Sequence, residues 1–166
     1  MAAYLFHQGT NYEAFRYMGF HVSDEKKAVF RVWAPHAKKV LLTGDFNGWN
    51  DNLEMKRTTD GGIYELFVPL EWLHDGDNYK YKIFTADGRA LYKADPYAFY
   101  AEKPPATASR IRFAKPFEWH DGEYRKNRAA TVIAPDYAFP MNIYELHLGS
   151  WKRHEDGSYL SYGETA

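Results

Sequence analysis

Between His21 and about Phe113 the chain is written in short apolar segments, each closed by a turn signal, and that rhythm restricts the fold more than any other feature. Ala28–Trp33 (AVFRVW) is rich in β-branched and aromatic residues and stops at Ala34-Pro35. Val40–Thr43 runs into Gly44-Asp45-Phe46-Asn47-Gly48-Trp49, a turn region. Asp60-Gly61-Gly62 leads into Tyr64–Val68, which Pro69 closes. Asp75-Gly76-Asp77-Asn78 precedes Tyr79–Thr85 (YKYKIFT), and Asp87-Gly88 marks a hairpin reversal. A last short strand is predicted near Arg110–Phe113. Strands at this spacing, with no helical periodicity between them, predict an all-β, antiparallel β-sandwich. A short helix is predicted over Asn11–Met18, with Asn11 as N-cap and Gly19 at its end. Residues 115–140 are polar, charged and proline-punctuated, and read as a connector.

A chain of 166 residues holds one ordinary domain plus a tail, or one large domain, and 45% hydrophobic residues suffice for a real core. Aromatics reach 18%. That excess suits a β-rich core, because Tyr, Phe and Trp fit pleated sheets. The same rings also make flat platforms for ring-shaped ligands. Lys plus Arg is 21 against 22 for Asp plus Glu, so the dense positive field needed to bind a phosphate backbone is absent. Nucleic acid is not an expected partner. With no cysteine there are no disulfides or thiolate metal sites, as befits a reducing cytosol. The N-terminus lacks a basic start followed by an apolar stretch, and no apolar run approaches the ~20 residues of a membrane span. The expectation is a soluble, cytoplasmic protein with no membrane partner.

Trp49 is the leading candidate for a binding residue. It follows Asn47-Gly48 in a turn and precedes Asn50-Asp51-Asn52, so its surroundings are polar. An indole placed there is poorly set for a core and well set to lie against the apolar face of a sugar ring. Covering ~100 Å² would contribute about 2.5 kcal/mol gross, which implies weak binding, on the order of millimolar. Asn47 offers a donor and acceptor nearby. Trp33, inside a strand pattern, is expected in the core. Along YKYKI, if Tyr81 and Ile83 face inward, Lys80 and Lys82 face solvent. Lys82 is then either part of a solvated sheet face or a ligand donor.

The run FRVWAPHAKKVLLTGDFNGW, residues 30–49, with YKYKI and Asp87-Gly88 after it, resembles carbohydrate-binding module family 48. The resemblance implies an immunoglobulin-like (early-set) β-sandwich and glucan contacts at the positions of Trp49 and Lys82. It also makes Thr107 and Ser109 the nearest matches to two further glucan partners. Glycogen-binding versions carry a second tryptophan just after the Asp-Gly of the later hairpin; Arg89-Ala90-Leu91 stands there in this sequence. From Met141 the chain reads MNIYELHLGSW, which resembles the first strand of the catalytic (β/α)8 barrel of 1,4-α-glucan (glycogen) branching enzymes in glycoside hydrolase family 13. Gly149-Ser150-Trp151 and Leu160-Ser161-Tyr162 favour that enzyme over debranching relatives. Phe6–Tyr12 (FHQGTNY) resembles its lead-in segment, and Lys93–Ala98 (KADPYA) a turn whose implied role is structural. The expected organisation is a lead-in over 1–20, the module over 21–116, a connector over 117–140 and one strand of a truncated barrel over 141–166.

A barrel of this kind needs about 250 residues. The paired carboxyl groups of retaining glycoside chemistry, about 5–5.5 Å apart, are therefore expected on barrel strands outside this sequence. No catalytic residue is assigned. Glu145 and His147 would share a strand face but lack a third ligand, so no metal is expected, and no cofactor is implied. The implied partners are α-glucan (glycogen or maltooligosaccharide), bound weakly, and the catalytic barrel of the same enzyme. The alternatives are a non-enzymatic regulatory glycogen-binding domain and the N-terminal module of an isoamylase-type debranching enzyme.

Overall fold

The computed structural model describes residues 1–24, 26–113, 118–131 and 142–165. These residues fall into two units, Met1–Lys115 and Pro116–Ala166. In the first unit the strands are β1 (Gly19–Val22), β2 (Lys27–Trp33), β3 (Lys39–Gly44), β4 (Lys56–Arg57), β5 (Ile63–Pro69), β6 (Asn78–Phe84), β7 (Ala90–Lys93) and β8 (Ser109–Arg110). One sheet has the order β1-β2-β5-β4. The other has the order β3-β6-β7, with β8 also pairing β6. Every pairing between these strands is antiparallel. The two sheets share one core, as a β-sandwich requires.

Alternation decides which side chains enter that core. Phe20, Ala28, Phe30, Val32, Tyr64 and Val68 come from the first sheet, and Val40, Leu42, Tyr79 and Tyr81 from the second. Phe30 is fully buried at the centre. Its ring packs 5.2 Å from Tyr79 at 76° and 5.1 Å from Phe20. The edges of the two sheets are stitched by one segment. Leu42 N–H donates to Leu53 O and Met55 N–H to Val40 O, both at 2.9 Å, on the free edge of β3. Immediately after Met55 the same segment pairs with β5 as β4.

A buried carboxylate ties the second sheet together. Asp95 is 5% exposed. Its Oδ2 accepts from the hydroxyls of Tyr79 (2.8 Å) and Tyr81 (3.1 Å). Its Oδ1 accepts from Tyr97 N–H at 2.8 Å, and its own N–H donates to Ser109 Oγ at 2.7 Å. Burial pushes the Asp95 carboxyl above its ordinary range, although these hydrogen bonds act in the opposite direction. Burial and then the charge of Asp95 push both tyrosine hydroxyls up as well.

Several expectations are corrected. The helix expected over Asn11–Met18 is replaced by α1 (Ala2–His7) and a single 3₁₀ turn, Ala14–Arg16. Asn11 caps no helix; its Oδ1 accepts from Glu13 N–H. Tertiary contacts override the local preference, because Met18 is fully buried and Arg31 stacks 4.4 Å over the Tyr17 ring. Trp33 is not in the core. It faces outward, 52% exposed, donates Nε1–H to Gly61 O at 2.7 Å, and meets the Phe6 ring of α1 edge-on at 5.7 Å. Strand alternation explains the miss, since Val32 takes the inward phase of β2.

In the second unit α2 (Gly122–Thr131) occupies part of the expected connector, built from Glu, Arg, Lys and Ala without an internal proline. The strand expected from Met141 does not form among the described residues 142–147, and Leu148–Trp151 instead make a helical turn, α3. A strand draws its stability from neighbours on its edges. Tyr144 and Ile143 remain largely exposed. Met141 lies outside the described residues. A last turn, α4 (Tyr162–Thr165), follows.

Two stability outcomes follow from this core. Phe30→Ala should cost about 3–5 kcal/mol in urea unfolding; a loss under about 1 kcal/mol would mean that Phe30 is not central. Because burial raises the Asp95 carboxyl, its protonated form favours the folded state. That contribution is complete below the unfolded value near 3.8 and is lost as pH rises through the higher folded value. The Tm of wild type relative to Asp95→Asn should therefore fall as pH rises above the unfolded value near 3.8. A difference that grows with pH would reverse the assignment.

Candidate functional site

β3 ends at Gly44, and the chain turns through a 3₁₀ segment, Asp45–Asn47, to reach Trp49. Space makes Gly44 obligatory: a Cβ there would lie 2.4 Å from Asn78 O and 2.7 Å from the Phe46 ring. Gly48 and Trp49 both take left-handed backbone, each with φ near 60°. For a tryptophan this costs on the order of 1–2 kcal/mol, so other contacts must hold it. Trp49 N–H donates to Gly44 O at 2.9 Å. Its Nε1–H donates to Asp45 Oδ1 at 2.8 Å, while Asp45 Oδ2 accepts from Asn78 N–H at 2.7 Å. Asp45 thus locks the indole to the start of β6. Asn47 braces the turn from within, accepting from Gly44 N–H and donating to Asn50 O and Asn52 Oδ1. Trp49 remains 41% exposed with its indole N–H already used. What it presents is rigid, flat carbon.

Lys82 is no freely solvated lysine. It pairs across the sheet with Leu41 on β3 and Tyr92 on β7. Only 14% of its side chain is exposed, and its Nζ donates to Asp51 Oδ2 at 2.5 Å. The ammonium lies 5.3 Å from the Tyr92 ring centroid and 5.5 Å from that of Phe84. Hydrogen bonding to Asp51, and then to Tyr92, raises its pKa and keeps it charged. Asp51 is two residues beyond Trp49, so the turn that displays the indole also reaches over Lys82. A cation, a carboxylate and aromatic rings at one place suit a ligand with neighbouring hydroxyls and an apolar face.

The remaining sequence candidates separate. Thr107 is exposed, and its Oγ1 accepts from Lys80 Nζ at 2.8 Å, on the neighbouring outward position of β6. Ser109 is 1% exposed, with its hydroxyl spent on Asp95 N–H, so it is an interior residue that offers a ligand nothing. Asn47 stands beside Trp49, but both its amide hydrogens are committed to the turn. Glu145 and His147 share no strand, and His147 Nδ1 bonds Ser150 Oγ at 2.8 Å. Among the described residues no group of three or more His, Cys, Asp or Glu is placed to hold a metal ion. No helix among them is long and apolar enough to cross a membrane.

Asp45, Asp51 and Tyr92 were missed by sequence reasoning. Asp45 reads as an ordinary turn former, and Asp51 only as part of the polar surroundings of Trp49. Tyr92 needed the hairpin register, which the Asp87-Gly88 turn determines once Phe84 is opposite Ala90. Asp45→Ala removes two hydrogen bonds and should cost about 1–3 kcal/mol in thermal or urea unfolding. Asp87→Ala, at an exposed hairpin tip, should destabilise clearly less than Asp45→Ala. Equal effects would refute the role of Asp45 as the brace.

Comparison with known proteins bears on the chain as a whole. Residues 17–98 match the model of carbohydrate-binding module 48 (isoamylase N-terminal domain). The chain is 43% identical over 98% of its length to the 1,4-alpha-glucan branching enzyme GlgB of Geobacillus stearothermophilus. It is 44% identical over its full length to that of Bacillus caldolyticus. In each case it spans 25% of the relative's length. A pullulanase type I from Bacillus subtilis, solved in complex with maltose, shares the fold at a TM-score of 0.50 with 20% identity. That likeness covers 61% of this chain and 14% of the pullulanase. Residues 17–98 therefore carry the match to carbohydrate-binding module 48, within a chain that is similar throughout to a quarter of the GlgB branching enzymes.

Proposed function

We propose that this chain carries an immunoglobulin-like, α-glucan-binding sandwich that serves a 1,4-α-glucan branching enzyme acting on glycogen in the cytoplasm. Sequence similarity to GlgB over nearly the whole chain supports the enzyme, since it continues through the second unit, where a regulatory glycogen-binding domain would have no need of it. In that enzyme an α-1,4 bond is cleaved and the released chain is joined to a glucose 6-hydroxyl. The catalytic carboxylates belong to the barrel, which is also the module's expected docking partner. The division into lead-in (1–20), module (21–116), connector (117–140) and first barrel segment (141–166) is kept in this reading.

One observation carries the binding assignment. Trp49 is held in strained backbone with its indole N–H satisfied by Asp45 and a large part of its ring open. Backbone strain persists only where surrounding structure holds it, and such positions cluster at binding sites. A pre-positioned ring loses little conformational freedom when it meets a sugar. The Lys82–Asp51 pair beside it supplies a charged donor and acceptor. A single such platform corresponds to affinity on the order of millimolar.

Wild-type chain should be retarded in a native gel containing glycogen, and Trp49→Ala should migrate as it does without glycogen. Identical migration of wild type and variant, with and without glycogen, would dispose of this site.

A further inference from the structure

We infer that Asn47 is a latent site of hydrolytic modification, losing its side-chain amide through attack by the backbone nitrogen of Gly48. The folded turn keeps this reaction closed, and unfolding opens it. Asn47-Gly48 is the only Asn-Gly step in the sequence. A glycine after asparagine has no Cβ, so its nitrogen is unhindered and its backbone is free to approach. In the reaction Gly48 N gives up its proton and bonds to Asn47 Cγ, the Cγ–Nδ2 bond breaks, and ammonia leaves. Water then opens the resulting cyclic imide at either carbonyl, giving aspartate or isoaspartate at position 47. Water is the only co-reactant.

The turn obstructs each part of that path. Gly48 N–H donates to Asp45 O at 3.1 Å, so the nucleophile is engaged. Asn47 Oδ1 accepts from Gly44 N–H at 3.0 Å, and Nδ2 donates to Asn50 O at 2.9 Å and to Asn52 Oδ1 at 2.8 Å. None of these partners belongs to Gly48, so the amide is held by other groups at both of its ends. Asn50 Nδ2 donates to Asn47 O at 2.8 Å and fixes the peptide unit that must turn for the attack. Cyclisation then proceeds through the opened turn, at a rate set by the population of that state.

The product cannot rebuild the turn. An oxygen in place of Nδ2 faces Asn50 O, an acceptor against an acceptor. Isoaspartate also adds a methylene to the backbone just before Gly48 and Trp49, which both need left-handed conformation. A single modification therefore frees the Trp49 indole from Asp45, whether or not that ring meets a sugar.

The test incubates the whole chain at neutral pH, folded and in urea, and follows the tryptic peptide of residues 40–56 by mass spectrometry with fragment assignment. In urea the amide-to-acid mass gain should appear at Asn47 ahead of Asn50 and Asn52. In the folded chain it should be at least about tenfold slower. Asn52→Ala, which removes one acceptor, should speed the folded reaction about fivefold and leave the rate in urea unchanged. Separately, the indole N–H resonance of Trp49, assigned with Trp49→Phe, should move in Asn47→Asp while those of the other tryptophans stay. Equal rates in the folded and urea-treated chain would overturn the protection. Modification in urea that begins at another asparagine would overturn the site itself. An unmoved Trp49 indole in Asn47→Asp, or movement of every indole together, would overturn the link to the platform.

Discussion

The Asp95 carboxyl group sets the phase of the strand on which the candidate surface is built. A β-strand has two faces, and a one-residue slip exchanges them. Tyr79 and Tyr81 are held inward because their hydroxyls share an acceptor at Asp95, inside the sandwich. Lys80 and Lys82 are thereby committed to the other face. A buried carboxyl group with incomplete bonding would be costly. Here each oxygen is satisfied, and the Ser109 hydroxyl completes the network from β8. The polar cluster thus reinforces the register that apolar burial already favours.

The second constraint is the turn after β3. Gly44 lets the backbone pass close to Asn78 and Phe46, and Asp45 joins the Trp49 indole to the first amide of β6. Asn47, Asn50 and Asn52 supply hydrogen bonds that a longer loop would take from water. The cost of left-handed backbone at Trp49 is met by this set of local bonds. The polar residues around the tryptophan therefore support the ring, and the surface open to a ligand is largely carbon.

Much of the sandwich was legible in order. The strands near 28–33, 40–43, 64–68 and 79–85 could be read from turn residues and alternation, and the structure has β2, β3, β5 and β6 there. Trp33 shows where that reading stops. Its strand was evident, but its face depended on Val32 and on a partner, Phe6, far away in sequence. Ser109 failed for a related reason: similarity of position to a binding residue says nothing of burial beneath the Asp95 turn. The strand expected near Met141 is apolar and β-prone, yet 142–147 are not strand, because edge partners decide whether such a segment pairs.

The sequence by itself determined the alternation, the turns and the kinship of the chain, since these depend on residues adjacent or nearly so along it. Only the tertiary structure decided what Lys82 is. A lysine on an outward phase reads as solvated; folding places Asp51 on its ammonium and Tyr92 and Phe84 beside it. Asp51 comes from a turn and Tyr92 from a neighbouring strand, brought together by inter-strand register. Register is set by cross-strand hydrogen bonds and by which face is buried, and neither can be read from one segment alone.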